Sequence, residues 1–337
     1  MALYREGELV GVAPFLKRRW NWDGRLGYRR VVRFPVDLID LCGEELLAPE
    51  EAEAQETLLL GLDQAVQQCH LLFLESLRVG STLWNVLKTS PDVRRRFWIY
   101  QPKPASPRRM VELGGSFDDY LAKFSPRTRG NFRNKVSKLE RACAGQLSVE
   151  RVTAREQVPG FLDRVERLSL RSWQGARLGQ VIRATPYEAE RLAAYADQGW
   201  LRSYVLSYAE EPLAFAVGYQ ADGTYLYATP GYDPAWGHLR VATVLLYKII
   251  DDLTRFQPAR RLDFGYGDNE YKAIFANHSY EEANVYLVRR SPYTALALTT
   301  IRALTSFSSV VRRELDRLRL REMVRHWLRG RASRRPG

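Results

Sequence analysis

Within LDFGYGDNEYKAIFA, residues 262–276, a carboxylate, a phenol and an amine fall inside five positions: Asp268, Tyr271 and Lys272. Each type suits one part of a proton-coupled group transfer. A carboxylate can take a proton from an attacking amine or hydroxyl, a phenol can return one, and an ammonium can steady developing negative charge. The same residues have structural uses. Asp268 precedes a short helical pattern and can cap it, and Tyr271 can be a packed aromatic. Upstream, Asp263 interrupts an otherwise apolar strand pattern, and Gly265 and Gly267 free the backbone.

A second set of candidates lies in SPRTRGNFRNKVSKLERA, residues 125–142. Ser125 reads as an N-cap and Pro126 as the first helical residue. At the helical period Phe132, Val136 and Leu139 form a narrow apolar stripe. Arg127, Lys138 and Arg141 face away, as a solvated face does. Arg129 and Arg133, one turn apart on the shoulder of the stripe, could together hold a phosphate or carboxylate, or pair structurally with Glu140. Asp233 in TPGYDPAWGH fits a turn-initiating Asp-Pro and could also touch an acceptor. Trp173 can line a substrate groove or fill a core. His238 is an outside candidate for a base or simply a loop residue.

The elements that must position these residues fall into two sets, divided near residue 105 by the proline-rich QPKPASPRR. The first set reads as a hairpin around Glu6-Gly7-Glu8, a helix in AEAQETLLLGLDQAVQQC, a buried strand LLFLESL, a Ser-capped helix STLWNVLK and a strand RRRFWIY. The second has a capping box at Ser116 and Asp119, the basic helix, a strand QLSVERVT and a helix reaching Trp173. A further helix closes at Gly199. Three antiparallel strands follow, with turns at Glu210-Glu211-Pro212 and Ala221-Asp222-Gly223. A helix over about 242–256, a strand RRLDFGY, a short helix NEYKAIFANH and a last strand EEANVYLVRR complete it. GELVGVAPF resembles EEPLAFAVGY, and LLFLESLRVG resembles RLDFGYGDNE, so the halves read as two copies of one α/β unit. The first copy lacks the helices that precede the hairpin in the second, so a start upstream of residue 1 is an expectation here.

Composition narrows the partners. The formal net charge is +12, which favours polyanions, phosphorylated ligands or an anionic membrane surface, or only makes the surface hydrophilic. Three widely spaced cysteines and four scattered histidines suggest neither a disulfide framework nor a metal site. The first residues do not read as a signal peptide, and no apolar run is long enough to span a bilayer, so a cytoplasmic protein is expected. The basic C-terminal segment VVRRELDRLRLREMVRHWLRG is amphipathic, with Val311, Leu315 and Leu318 on one face and Val324, Trp327 and Leu328 continuing it. It can lie on an anionic membrane or dock on its own domain. No nucleic-acid-binding motif is present.

In order and spacing the basic helix, RSW at 171–173, EEPLAFAVGY, TPGYDPAW and LDFGYGDNEYKAIFA resemble the GNAT acyltransferase superfamily. The nearest branch is the one associated with cellulose and exopolysaccharide biosynthesis, akin to the FemABX-like peptidyltransferases. The resemblance spans residues 116–290, about half the chain. It implies tandem GNAT-like α/β domains: a mixed, mostly antiparallel splayed sheet flanked by helices. Residues 1–105 would be a degenerate or N-terminally incomplete copy, 106–290 the acyltransferase domain, and 291–337 the basic helix and tail. It further implies acetyl-CoA or another acyl-CoA as co-substrate, with its pyrophosphate on a glycine-containing turn before a helix. That turn falls on Leu239, Arg240, Val241, Ala242 and Thr243, where the expected glycine is absent; Val241 would crowd a phosphate and Arg240 could compensate with charge. In this frame Asp268 is the base, Tyr271 the acid and Lys272 the electrostatic stabiliser, with Arg129, Arg133, Trp173 and Asp233 toward the substrate. The implied activity is acyl transfer to an amine or hydroxyl of a cell-envelope or exopolysaccharide precursor. Aminoacyl transfer from a charged tRNA and a non-catalytic role in a polysaccharide machine are the alternatives.

Overall fold

The computed structural model describes residues 1–26, 29–41, 46–65, 69–172 and 181–317. Two units make up the chain: Met1–Ala105 with Glu281–Gly337, and Ser106–Tyr280. Trp173 and the apolar positions from Leu318 onward lie outside the described residues.

In the first unit, left-handed residues at Glu6 and Gly7 turn β1 (Ala2–Arg5) into β2 (Glu8–Val12). The longer hairpin β3 (Phe15–Leu26) and β4 (Arg29–Leu41) follows, then α1 (Ala52–Ala65) and β5 (Leu71–Arg78). Ser81 caps α2 (Thr82–Thr89). Ser90 caps α3 (Pro91–Arg96), so the strand expected over RRRFWIY shrinks to β6 (Phe97–Tyr100). The cause is local: a Ser-Pro pair supplies cap and first helical residue together.

The second unit begins with β7 (Ser106–Glu112), which occupies residues expected to form the connection. Proline at the second strand position costs no interior ladder bond. Then come α4 (Phe117–Ala122), α5 (Pro126–Ala142), β8 (Leu147–Val152), α6 (Val158–Arg171) and α7 (Pro186–Asp197). The meander β9 (Ser203–Tyr208), β10 (Glu211–Ala221) and β11 (Thr224–Tyr232) is antiparallel, and Asp222 and Gly223 make its second turn with positive φ at both positions. A 3-10 turn (Pro234–Leu239) leads into α8 (Val241–Arg255), then β12 (Arg261–Asp263) and α9 (Glu270–Phe275). Strand order is β7-β12-β11-β10-β9-β8.

β13 (His278–Arg289) and α10 (Pro292–Arg317) close the described chain. Leu287 of β13 sits opposite Leu72 of β5 and Ile99 of β6, so residues from Glu281 onward complete the first unit rather than extending the domain to 290. Ala297, Leu298 and Ile301 of α10 pack in the first unit with Trp22, Val36 and Val288. No helix among the described residues is long and apolar enough to cross a membrane.

α8 fixes the second core. Val241, Val244, Leu245, Ile249, Ile250 and Leu253 are all buried at helical spacing. Each such side chain contributes about 1.5–3 kcal/mol on burial. They pack against Leu206, Ala214, Ala216 and Tyr225 of the meander, while Phe161, Leu162 and Val165 of α6 join Val205, Phe215 and Val217 in a separate cluster. Alternate residues of β9 and β10 therefore serve two layers.

Candidate functional site

β11 and β12 run parallel but pair at only three positions, Thr224↔Arg261, Tyr225↔Leu262 and Leu226↔Asp263. Beyond Leu226, β11 keeps only its β10 partner, and beyond Asp263 the chain turns at Gly265 and Gly267, with φ of 64° and 85°. The strands therefore part. Immediately past the last pair the gap carries an aromatic wall. Phe264 stands edge-on to Tyr227 and to Tyr271, with ring centroids 5.9 Å apart in both contacts.

The loop on one side of the gap is held by charge. Asp263 is buried on β12 and takes a bidentate grip from Arg108 of β7, with contacts of 2.7–3.0 Å. Its Oδ1 also accepts the Gly265 N–H at 2.8 Å. Lys272 is 4% exposed, and its ammonium donates to the carbonyls of Gly265, Tyr266 and Gly267 at 3.2, 3.0 and 2.7 Å. A trans peptide sets its N–H opposite its C=O. Turning three carbonyls onto Lys272 therefore turns the N–H groups of Tyr266, Gly267 and Asp268 away from it.

This arrangement changes the roles open to the three residues singled out in the sequence. Asp268 accepts from Arg109 Nε at 3.0 Å and Nη2 at 3.3 Å, and that guanidinium holds its carboxyl below the usual range, which makes it a poor base. It does not cap the following helix either; Asn269 occupies the N-cap of α9. Burial pushes the Tyr271 phenol up to about 12, so it keeps its proton well above neutral pH, does not serve as a base and can donate a hydrogen bond. Lys272 is directed at main-chain carbonyls.

At the other side of the gap, the 3-10 turn hands the chain to α8 through Arg240, which is exposed and left-handed, φ 58° and ψ 36°. The position has the backbone shape a glycine would adopt without strain, yet an arginine fills it. Val241 is fully buried with Leu239 in the core, so it does not crowd the turn as its sequence position suggested. No side chain caps α8. The first-turn amides of Val241, Ala242 and Thr243 have no acceptor within the helix, and Val244 makes the first bond to the Arg240 carbonyl. Such a turn fits a phosphate.

The remaining candidates disperse. Asp233 caps the 3-10 turn through the Ala235 N–H at 2.9 Å and lies 3.6 Å from Arg171. It also borders a cavity of about 520 Å³ shared with Arg171, Tyr208, Glu211 and Trp236. His238 Nδ1 is 3.0 Å from the Ala235 carbonyl. Arg133 lies beside Tyr247 of α8. The ion pair of Glu140 goes to Lys248 at 3.1 Å instead of to Arg129 or Arg133. None of the six cations of α5 pairs with a carboxylate among the described residues. No group of three or more metal-ligating side chains occurs among the described residues. Sequence reading missed Arg108, Arg109 and Phe264. The available signal was Asp263 itself: a carboxylate in an apolar strand requires a buried cation.

Two parallel strands that part after three pairs, with an uncapped crossover helix between them, fit a GNAT-like fold. Residues 126–273, all within the second unit, match the family model of the acetyltransferase (GNAT) domain. The chain is similar to the crystal structure of FemX (13% identity, TM-score 0.60, covering 88% of this chain and 89% of that one). It is also similar to the C-terminal domain (DUF2156) of a putative lysylphosphatidylglycerol synthetase from Agrobacterium fabrum, at 14% identity and TM-score 0.52, covering 80% and 85%. At these identities the likeness is one of fold. No curated protein matches the chain.

Proposed function

We propose that the second unit transfers a short acyl group from acyl-CoA to an amine or hydroxyl of a cell-envelope or exopolysaccharide precursor. The observation that carries this is the parting of β11 and β12 beside the bare amino end of α8. Arg240 and the amides of Ala242 and Thr243 would hold the pyrophosphate; the co-substrate supplies an activated thioester. Phe264, Tyr227 and Tyr271 close the narrow end of the gap, which favours short acyl chains. Tyr271 donates a hydrogen bond to the leaving thiolate as the carbon–sulfur bond breaks, and the proton that the acceptor amine or hydroxyl sheds as it bonds to the acyl carbon passes through solvent to that thiolate. Lys272 is a positioning residue: it sets the Gly265–Gly267 loop so that amide N–H groups face away from it, toward the developing oxyanion. Asp268, neutralised by Arg109, anchors the loop instead of taking the proton. The cavity beside Asp233 and Arg171 receives the acceptor.

Titration calorimetry with CoA, acetyl-CoA and longer acyl-CoAs tests the reading. Wild type should bind, Arg240→Glu should weaken binding about tenfold or more, and affinity should drop for long chains. Failure of wild type to bind any of them would overturn it.

The cations of α5 favour a second reading, aminoacyl transfer from a charged tRNA. Under that reading a tRNA complex forms and weakens steeply as salt rises, because phosphate contacts release counterions.

A further inference from the structure

The tip of the β3–β4 hairpin gathers arginines around a single carboxylate. Asp23 sits opposite Arg33, Arg25 opposite Arg30, and Leu26 opposite Arg29. Arg25, Arg30 and Arg33 all approach Asp23, at 3.5, 3.8 and 3.5 Å. Arg29 has no ion pair among the described residues. Four guanidiniums therefore share one carboxylate, and the tip carries a surplus of positive charge that reaches into solvent.

The same end of the first unit exposes hydrocarbon. The register passes from Gly24↔Val32 to Arg25↔Arg30, so Val31 has no opposite residue on β3 and bulges from the ladder. Val31 and Leu26 are 59% and 40% exposed. Gly24 lets α10 lie directly against the hairpin here, since a Cβ built on it would come within 2.7 Å of Leu304 Cδ1. One turn further along α10, Ser308 Oγ donates to the Arg25 carbonyl at 3.3 Å. Beside Ser308, Phe307 and Val310 are 58% and 52% exposed. Single exposed apolar residues need no explanation, but four large ones grouped beside four arginines mark an interaction site.

The mixture selects the partner. Surplus guanidiniums favour anionic oxygens, and aliphatic side chains favour hydrocarbon. A nucleic acid meets the first need and leaves Leu26, Val31 and Val310 in water. A bilayer with anionic headgroups meets both, with the apolar side chains below the headgroups and the arginines at the level of the phosphates. We propose that this end of the first unit, the hairpin tip together with residues 304–310 of α10, docks on an anionic lipid surface. The assignment requires neither a transferase activity in the second unit nor the segment beyond Arg317.

The test is co-sedimentation of the full chain with vesicles at physiological ionic strength. Vesicles of phosphatidylcholine containing a quarter phosphatidylglycerol should bind the wild type, vesicles of phosphatidylcholine alone should bind it far less, and added salt should weaken the binding. Arg29→Gln with Arg30→Gln should weaken it about tenfold or more, because each cation near such a surface contributes about fivefold. Val31→Ser with Phe307→Ser should weaken it about tenfold or more while leaving the net charge unchanged. Both double variants should keep the wild-type melting temperature, since the side chains removed are exposed. No binding by the wild type, equal binding to both vesicles, or binding that survives both double variants would overturn the proposal. So would sedimentation velocity showing self-association that Val31→Ser with Phe307→Ser abolishes, because the patch would then be an interface between copies of the chain.

Discussion

The Lys272 ammonium lies 2.7 Å from the Gly267 carbonyl, the shortest of its three contacts to one loop. The glycine conformations at Gly265 and Gly267 fix the loop weakly, so its shape rests on Lys272 together with the Gly265 N–H bond to Asp263 and the Arg109–Asp268 pair. Replacing Lys272 by methionine keeps most of the side-chain volume and strips three carbonyls of their donor. A fully buried group left unmet costs about 1–3 kcal/mol, and these carbonyls sit on half-buried and exposed residues that water can partly satisfy. Lys272→Met should therefore lower stability by about 1–3 kcal/mol in urea unfolding, and any transferase activity should fall with it. A loss under about 1 kcal/mol would show that the clamp is dispensable.

Arg108 and Asp263 make a paired prediction. Removing one member of a buried ion pair leaves an uncompensated charge and costs about 3–5 kcal/mol, whereas replacing both by apolar residues is often neutral. Asp263→Asn should sit in the costly class. Arg108→Met combined with Asp263→Leu should recover most of the loss, and a double-mutant cycle read by denaturant unfolding measures the coupling. Additive losses would mean the pair does not act as a unit.

Asp263 also marks the limit of what the sequence makes legible. Periodicity and turn residues are local signals, and they found α5, the meander of β9 to β11, α8 and the capping box at Ser116–Asp119. The segment holding Asp268, Tyr271 and Lys272 was legible for the same reason: its chemistry lies within five residues. What those side chains face was not. Arg109 and Asp268 are 159 residues apart in sequence, and nothing near either names the other. β7 was hidden because prolines beside it read as a connection, although Pro107 leaves the register of Met110, Val111 and Glu112 with β12 intact. At Arg240 a missing glycine suggested a lost turn. The backbone kept the turn and accepted a strained arginine.

That strain is measurable. A left-handed conformation costs a non-glycine residue about 1–2 kcal/mol, while glycine's extra freedom in the unfolded chain takes back part of the gain. Arg240→Gly should leave stability unchanged or raise it by up to about 1 kcal/mol by thermal unfolding. If the guanidinium meets a phosphate, the same variant should lose CoA affinity. Stability and binding then move in opposite directions, which a purely structural role for Arg240 would not produce.

Two groups of the candidate site set opposite edges of a pH window. Burial raises Tyr271 from 10.0 to about 12. Between those values the unfolded chain has lost the proton that the folded chain keeps, so the Tyr271 contribution is full below pH 10 and declines as pH rises toward 12. Asp268 is lowered below 3.8, chiefly by the hydrogen bond from Arg109. Its contribution is full above that value and is lost as pH falls through the folded-state pKa. The checks are difference profiles of unfolding free energy against wild type. Tyr271→Phe should remove part of the decline above pH 10 and leave the acid limb alone, because the ring and its edge contact with Phe264 remain. Asp268→Asn should flatten the acid limb below about pH 4 and leave the alkaline limb alone. If Tyr271→Phe instead shifts the profile equally at every pH, the phenol titrates the same way folded and unfolded, and burial does not raise it.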